Sequence, residues 1–117
     1  MNHPDPIDWE KALATVGGDP DLLNELFSVY IAEARQMVSQ MKTALAASDR
    51  QLLRRSAHTL KGASMSMAAT TTTAESELLE QGCEGMDESA LAEHLARVEV
   101  AVEQAIEAIE NRMSAGN

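Results

Sequence analysis

A chain of 117 residues has room for one hydrophobic core and not for a second independent one. Hydrophobic residues at 44% exclude wholesale disorder, and aromatics at only 3%, beside abundant Ala, Leu, Met and Glu, favour helices over sheets. Lys+Arg 9 against Asp+Glu 19 give a net charge of −10, a balance that repels phosphate backbones and argues against nucleic-acid binding. The single cysteine, Cys83, rules out a disulfide framework and a cysteine-rich zinc site. The polar, acidic start MNHPDPIDWE is unlike a signal peptide, and no apolar run approaches membrane-spanning length. The expectation is a soluble, cytoplasmic, all-α domain without membrane insertion.

The first predicted helix runs from about Asp8 to Val16, with Asp8 as N-cap and Gly17-Gly18 as the stop. Asp19-Pro20-Asp21 opens a long second helix with a capping carboxylate, a proline at N1 and an acid in the first turn. Its stripe is Leu23, Leu26, Tyr30, Ala34, Met37, Met41 and Leu45. Ser48-Asp49-Arg50-Gln51 reads as a capping box that starts a third helix ending near Met67. A fourth is expected from about Ala69 to Glu80, closed by Gly82 and Gly85. The threonines Thr70 to Thr73 are poor helix formers, and Thr72 with Glu75 offers another capping box. The last helix starts near Asp87 and carries Leu91, Leu95, Val98, Val102, Ile106, Ile109 and Met113 at helical spacing.

Short connections between long amphipathic helices predict an antiparallel up-and-down four-helix bundle over about residues 19–113. The short first helix would cap one end with Trp9 packed inward, and a polar tail would span residues 114–117. The whole of 1–117 then forms a single domain. Other helical connectivity is the alternative.

The third helix carries the chemical information. On a wheel at 100° per residue, Leu52, Leu53, Leu60 and Met67 define the core side and His58 points away from it. Gln51, Arg54, Arg55, Lys61, Gly62 and Met65 fall within about 60° of His58. The stretch 50–62 holds Arg50, Arg54, Arg55 and Lys61 and no acid, so an otherwise acidic chain concentrates positive charge around one exposed histidine. A neutral imidazole nitrogen is a nucleophile near neutral pH, and nearby cations favour that neutral form. Lys61, Arg54 and Arg55 can offset the charge of a phosphoryl group placed on the ring. Gly62 leaves room for a large partner, and the adaptable Met65 suits docking onto an apolar surface.

His58-Thr59-Leu60-Lys61-Gly62-Ala63-Ser64 resembles the H-x-L-K-G-x-[SA] signature of the histidine-containing phosphotransfer (HPt) family. The likeness extends to the short first helix and the Gly-Gly-Asp-Pro turn. It implies a four-helix bundle that relays phosphoryl groups between aspartates of receiver domains in two-component phosphorelays. Those receivers would belong to response regulators and hybrid sensor kinases. By resemblance His58 is the residue phosphorylated, through Nε2. Lys61 matches the lysine that supports the phosphoryl group, and Gly62 the small residue that permits docking. Glu80, with Gln81 adjacent, matches a polar residue that bonds the other ring nitrogen. Mg²⁺ is implied on the partner receiver and no cofactor on this chain, which would be a phosphocarrier and not an enzyme in its own right. The chain departs from the family at Ala68, where many members have glycine.

Competing readings of the same residues stay open at this level. His3 and His94 read as ordinary surface or packing residues. The bundle could instead be a non-phosphorylated binding module that sequesters an acidic partner through the basic His58 face. A metal-binding bundle is a distant third, since Glu-x-x-His, His-Glu-x-x-His, a P-loop and G-x-G-x-x-G are all absent. Apolar stripes that one chain can satisfy make a monomer the expectation. The starting methionine and polar tail fit a free-standing protein, with an excised domain of a larger kinase as the alternative.

Overall fold

The first three helices each start at a capping aspartate and stop where the backbone turns to positive φ. The computed structural model describes residues 5–115, which form five helices and no strand. They are α1 (Trp9–Thr15), α2 (Pro20–Ala46), α3 (Arg50–Ser66), α4 (Thr70–Gly82) and α5 (Glu88–Ala115). Asp8 accepts the Lys11 amide at the start of α1, and Asp19 accepts the Asp21 and Leu22 amides ahead of Pro20. Asp87 accepts the Ala90 amide at 2.8 Å as α5 begins. Neither of the two expected capping boxes forms. Asp49, not Ser48, caps α3, accepting the Leu52 amide at 3.0 Å. Thr72 is fully buried within α4, whose N-cap Ala69 supplies no side-chain bond.

The reason for the first shift lies in how α2 ends. The Ser48 amide bonds the Leu45 carbonyl and the Asp49 amide the Ala44 carbonyl, a Schellman motif that forces Ser48 to φ 55°. Ser48 is consumed in stopping α2, so the next residue caps α3, and its hydroxyl turns to Glu88 Oε1 at 2.5 Å. The same motif ends α1 at Gly17 (φ 63°) and α3 at Ala68 (φ 57°).

α2, α3, α4 and α5 pack in cyclic order, each against its sequence neighbour and α5 back against α2, while α1 rests on α2. Three- to five-residue connections between consecutive long helices give the antiparallel four-helix bundle expected. The core is filled by Leu23, Phe27, Tyr30, Val38 and Met41 of α2, Leu53 and Leu60 of α3, Leu79 of α4, and Leu91, Val98, Val102, Ile106 and Ile109 of α5. Leu26, Met37, Leu45, Leu52 and Met113, expected in the stripes, pack against it half-buried. Trp9 does pack inward. It meets Phe27 edge-on at 5.9 Å, donates from Nε1 to Asp5 Oδ2 at 2.9 Å, and lies 4.5 Å under the Arg112 guanidinium.

The α3 wheel underestimates what small residues do. Ser56, Ala57 and Ser64 are buried and let α3 approach its neighbours. Ser56 donates to Gln40 Oε1 at 2.7 Å, and Ser64 shares a 2.8 Å bond with the Tyr30 hydroxyl. Burial pushes that phenol above its ordinary range, more than its hydroxyl neighbours pull it back. Among the described residues no helix is long and apolar enough to cross a membrane.

Candidate functional site

With its core side pinned between α2 and α4, α3 turns His58 outward. The imidazole is 66% exposed, as the wheel predicts. Its Nδ1 lies 2.8 Å from Glu80 Oε2 on α4, and the other oxygen of that carboxylate lies 2.9 Å from Lys61 Nζ. Glu80 thus bridges the histidine and the lysine one turn along, and both Glu80 and Lys61 are largely covered, at 22% exposure each. Gln81, the neighbouring candidate, is exposed and takes no part in these contacts.

The electrostatics of this bridge fix its protons. Partial burial opposes ionisation of Glu80, but Lys61 and His58 outweigh it and hold the carboxyl below the ordinary range. Lys61 is held above its ordinary range by Glu80. An ionised carboxylate only accepts, so Nδ1 must carry the hydrogen it shares with Glu80. In the neutral ring Nε2 then bears the lone pair, on an open surface.

The remaining sequence-predicted residues fall into two groups. Gly62 and Met65 share the exposed face of His58. A Cβ at Gly62 would meet nothing within 4 Å, and Met65 is 62% exposed. Arg54 and Arg55 are also exposed. Three of the four cations in the basic stripe, however, are not free. Arg50 donates to the Cys83 carbonyl at 3.2 Å, Arg54 lies 3.5 Å from Glu84, and Lys61 is bound to Glu80. The nearest charge to His58 is a carboxylate and not the cation expected, because α4 sets its acids against the bases of α3. That pairing is long-range, and helical periodicity within α3 cannot announce it.

One residue of this surface went unread in the sequence. Val29 on α2 is 61% exposed, and the Tyr30–Ser64 bond sets it level with Met65 on the neighbouring helix. An apolar residue one step off the buried stripe was the available signal. His94 is half-buried on α5 with Nδ1 enclosed and unbonded, and His3 lies outside the described residues. The described residues contain no group of three His, Cys, Asp or Glu side chains that could hold a metal ion. A concavity of about 270 Å³ between α4 and α5 is lined by Thr71, Glu75, Arg97, Val100 and Gln104, with His58 outside it. The histidine side chain, 66% exposed, is accessible to a macromolecule.

Comparison with known proteins agrees with this geometry. A profile of the Hpt domain family matches residues 25–112. The fold is similar to that of the HPT domain of an Hpt sensor hybrid histidine kinase from Shewanella, with a TM-score of 0.80 and 18% identity over 95% of this chain and 96% of that one. A search of curated proteins finds no match. The chain belongs to the Hpt family, the phosphotransfer modules of two-component signalling.

Proposed function

We propose that this chain is a phosphocarrier in which His58 Nε2 accepts a phosphoryl group from a receiver-domain aspartate and passes it to the aspartate of another receiver. The observation that carries the reading is the 2.8 Å contact of Glu80 with Nδ1 on an otherwise exposed ring. It directs the lone pair outward before any partner arrives, which is the preorganisation a nucleophile needs.

In the accepting step the Nε2–P bond forms as the acyl-phosphate P–O bond breaks, and the aspartate carboxylate leaves on the receiver. The ring, now bearing both P and the Nδ1 hydrogen, is positive, and the Glu80 carboxylate offsets that charge. Lys61 holds Glu80 ionised and aligned. Mg²⁺ and most of the machinery for stabilising the transferring group belong to the receiver, so the chain supplies nucleophile, orientation and a landing surface. Gly62, Met65 and Val29 form the apolar centre of that surface, with Arg54 and Arg55 beside it. The sequestering module has less support, since three of the four cations on α3 already have carbonyl or carboxylate partners within the chain.

The test is transfer from a panel of phosphorylated receiver domains with Mg²⁺, comparing wild type with His58→Gln. Acid-labile label on the wild type alone is expected. Label that persists on folded His58→Gln, or its absence from wild type across the panel, refutes the assignment.

A further inference from the structure

Of the four cations on α3, one has no partner among the described residues. Arg50 holds the Cys83 carbonyl, Arg54 lies beside Glu84, and Lys61 is occupied by Glu80. Arg55 is exposed and forms no ion pair among the described residues. It sits three residues before His58, rotated about 60° toward the Gly62 side of the helix, whereas Lys61 is rotated about 60° the other way, over α4.

The orientation of the ring distinguishes these two sides. Nδ1 is anchored toward α4 by Glu80. The two nitrogens of an imidazole are separated by one carbon and face different directions, so Nε2 opens away from α4, toward the flank that holds Arg55 and Gly62. A Cβ built at Gly62 meets nothing within 4 Å, so this flank of the helix is open. A group attached to Nε2 therefore has its open volume on the Arg55 side.

We infer that Arg55, and not Lys61, is the cation that contacts the phosphoryl group on His58 Nε2. The inference rests on the reading of His58 as the phosphorylated residue. A guanidinium offers a planar pair of donors that matches two phosphoryl oxygens, and an unpaired one breaks no internal contact to do so. Lys61 acts on the opposite nitrogen, through Glu80, as a positioning residue.

The experiment phosphorylates the protein with phosphoramidate, whose phosphorus forms its bond to Nε2 as ammonia leaves, and follows the product by ³¹P NMR across pH. No receiver is needed. A neighbouring cation favours the dianionic phosphoryl group, so removing it raises the midpoint of that ionisation, by about half a pH unit for an exposed contact. Arg55→Gln should raise the midpoint by this amount and Arg55→Lys should recover most of it, while Lys61→Gln leaves it in place. A midpoint unmoved in Arg55→Gln overturns the inference, as does a larger shift in Lys61→Gln or Arg54→Gln. Failure of the underlying reading looks different. In that case wild type gives no phosphohistidine signal that His58→Gln abolishes.

Discussion

The Asp8 amide donates to the Ala68 carbonyl at 2.9 Å, tying the entry to α1 to the turn that ends α3. Ala68 presents that carbonyl from a left-handed conformation that an L-residue adopts at a cost, and Ser48 does the same at the other end of α3. The two sites differ in one respect: Ala68 is buried and Ser48 is exposed.

Glycine should therefore act differently at the two turns. Ser48→Gly relieves about 1 kcal/mol of backbone cost and gives up only an exposed hydroxyl contact, so thermal melting should rise by roughly 4 °C. Ala68→Gly relieves a similar cost but removes a buried methyl worth about 0.8 kcal/mol, so its melting point should stay close to wild type. Equal stabilisation at both positions would contradict this balance.

Gly62 sets stability against docking. An exposed mid-helix glycine costs about 1 kcal/mol relative to alanine, and nothing within the protein opposes a Cβ there. Gly62→Ala should unfold at higher denaturant concentration and accept phosphoryl groups from a receiver more slowly. A variant that is both more stable and equally fast would show that no partner approaches this point.

The Glu80 bridge predicts an acid limb in stability. Its folded carboxyl ionises below the unfolded value of about 4.3, so its contribution is present above that value and fades as pH falls through the folded one. The melting-point gap between wild type and Glu80→Gln should be open at about pH 6 and close below about pH 4. Melts of both proteins across this range check the sign, and a gap that widens on acidification would refute it.

Trp9 reports on the α1 end of the bundle. Removing the cation above its ring in Arg112→Ala should cost about 0.5–1 kcal/mol and change the emission of this single tryptophan. Phe27→Ala, which empties a buried site beneath the same indole, should cost about 3–5 kcal/mol. Denaturant titrations followed by fluorescence and by circular dichroism measure both.

The residues that local chemistry controls were readable from the chain. Asp8 and Asp19 cap as expected because an N-cap needs only its own side chain and the next two or three amides. The outward placement of His58 follows from helical period alone. Cap register at Ser48 was not readable, since it depends on the Schellman geometry that finishes the helix before it. Thr72 looks like a cap by composition but faces the core, a consequence of how α4 lies on its neighbours. Whether Glu80 or Gln81 meets His58, and which bases of α3 find acids, are questions of rotation between two helices. Periodicity leaves that rotation undefined.

The exposure of His58 has a kinetic corollary. The side chain is two-thirds bare, at 66%, so water reaches the ring as well as a protein does. A phosphoryl group carried there would be stored in contact with water, and its dwell time would reflect the hydrolytic durability of the P–N bond and the few side chains beside it. Timing in such a circuit would then be written largely into the frequency of encounters, with the carrier contributing reach and readiness.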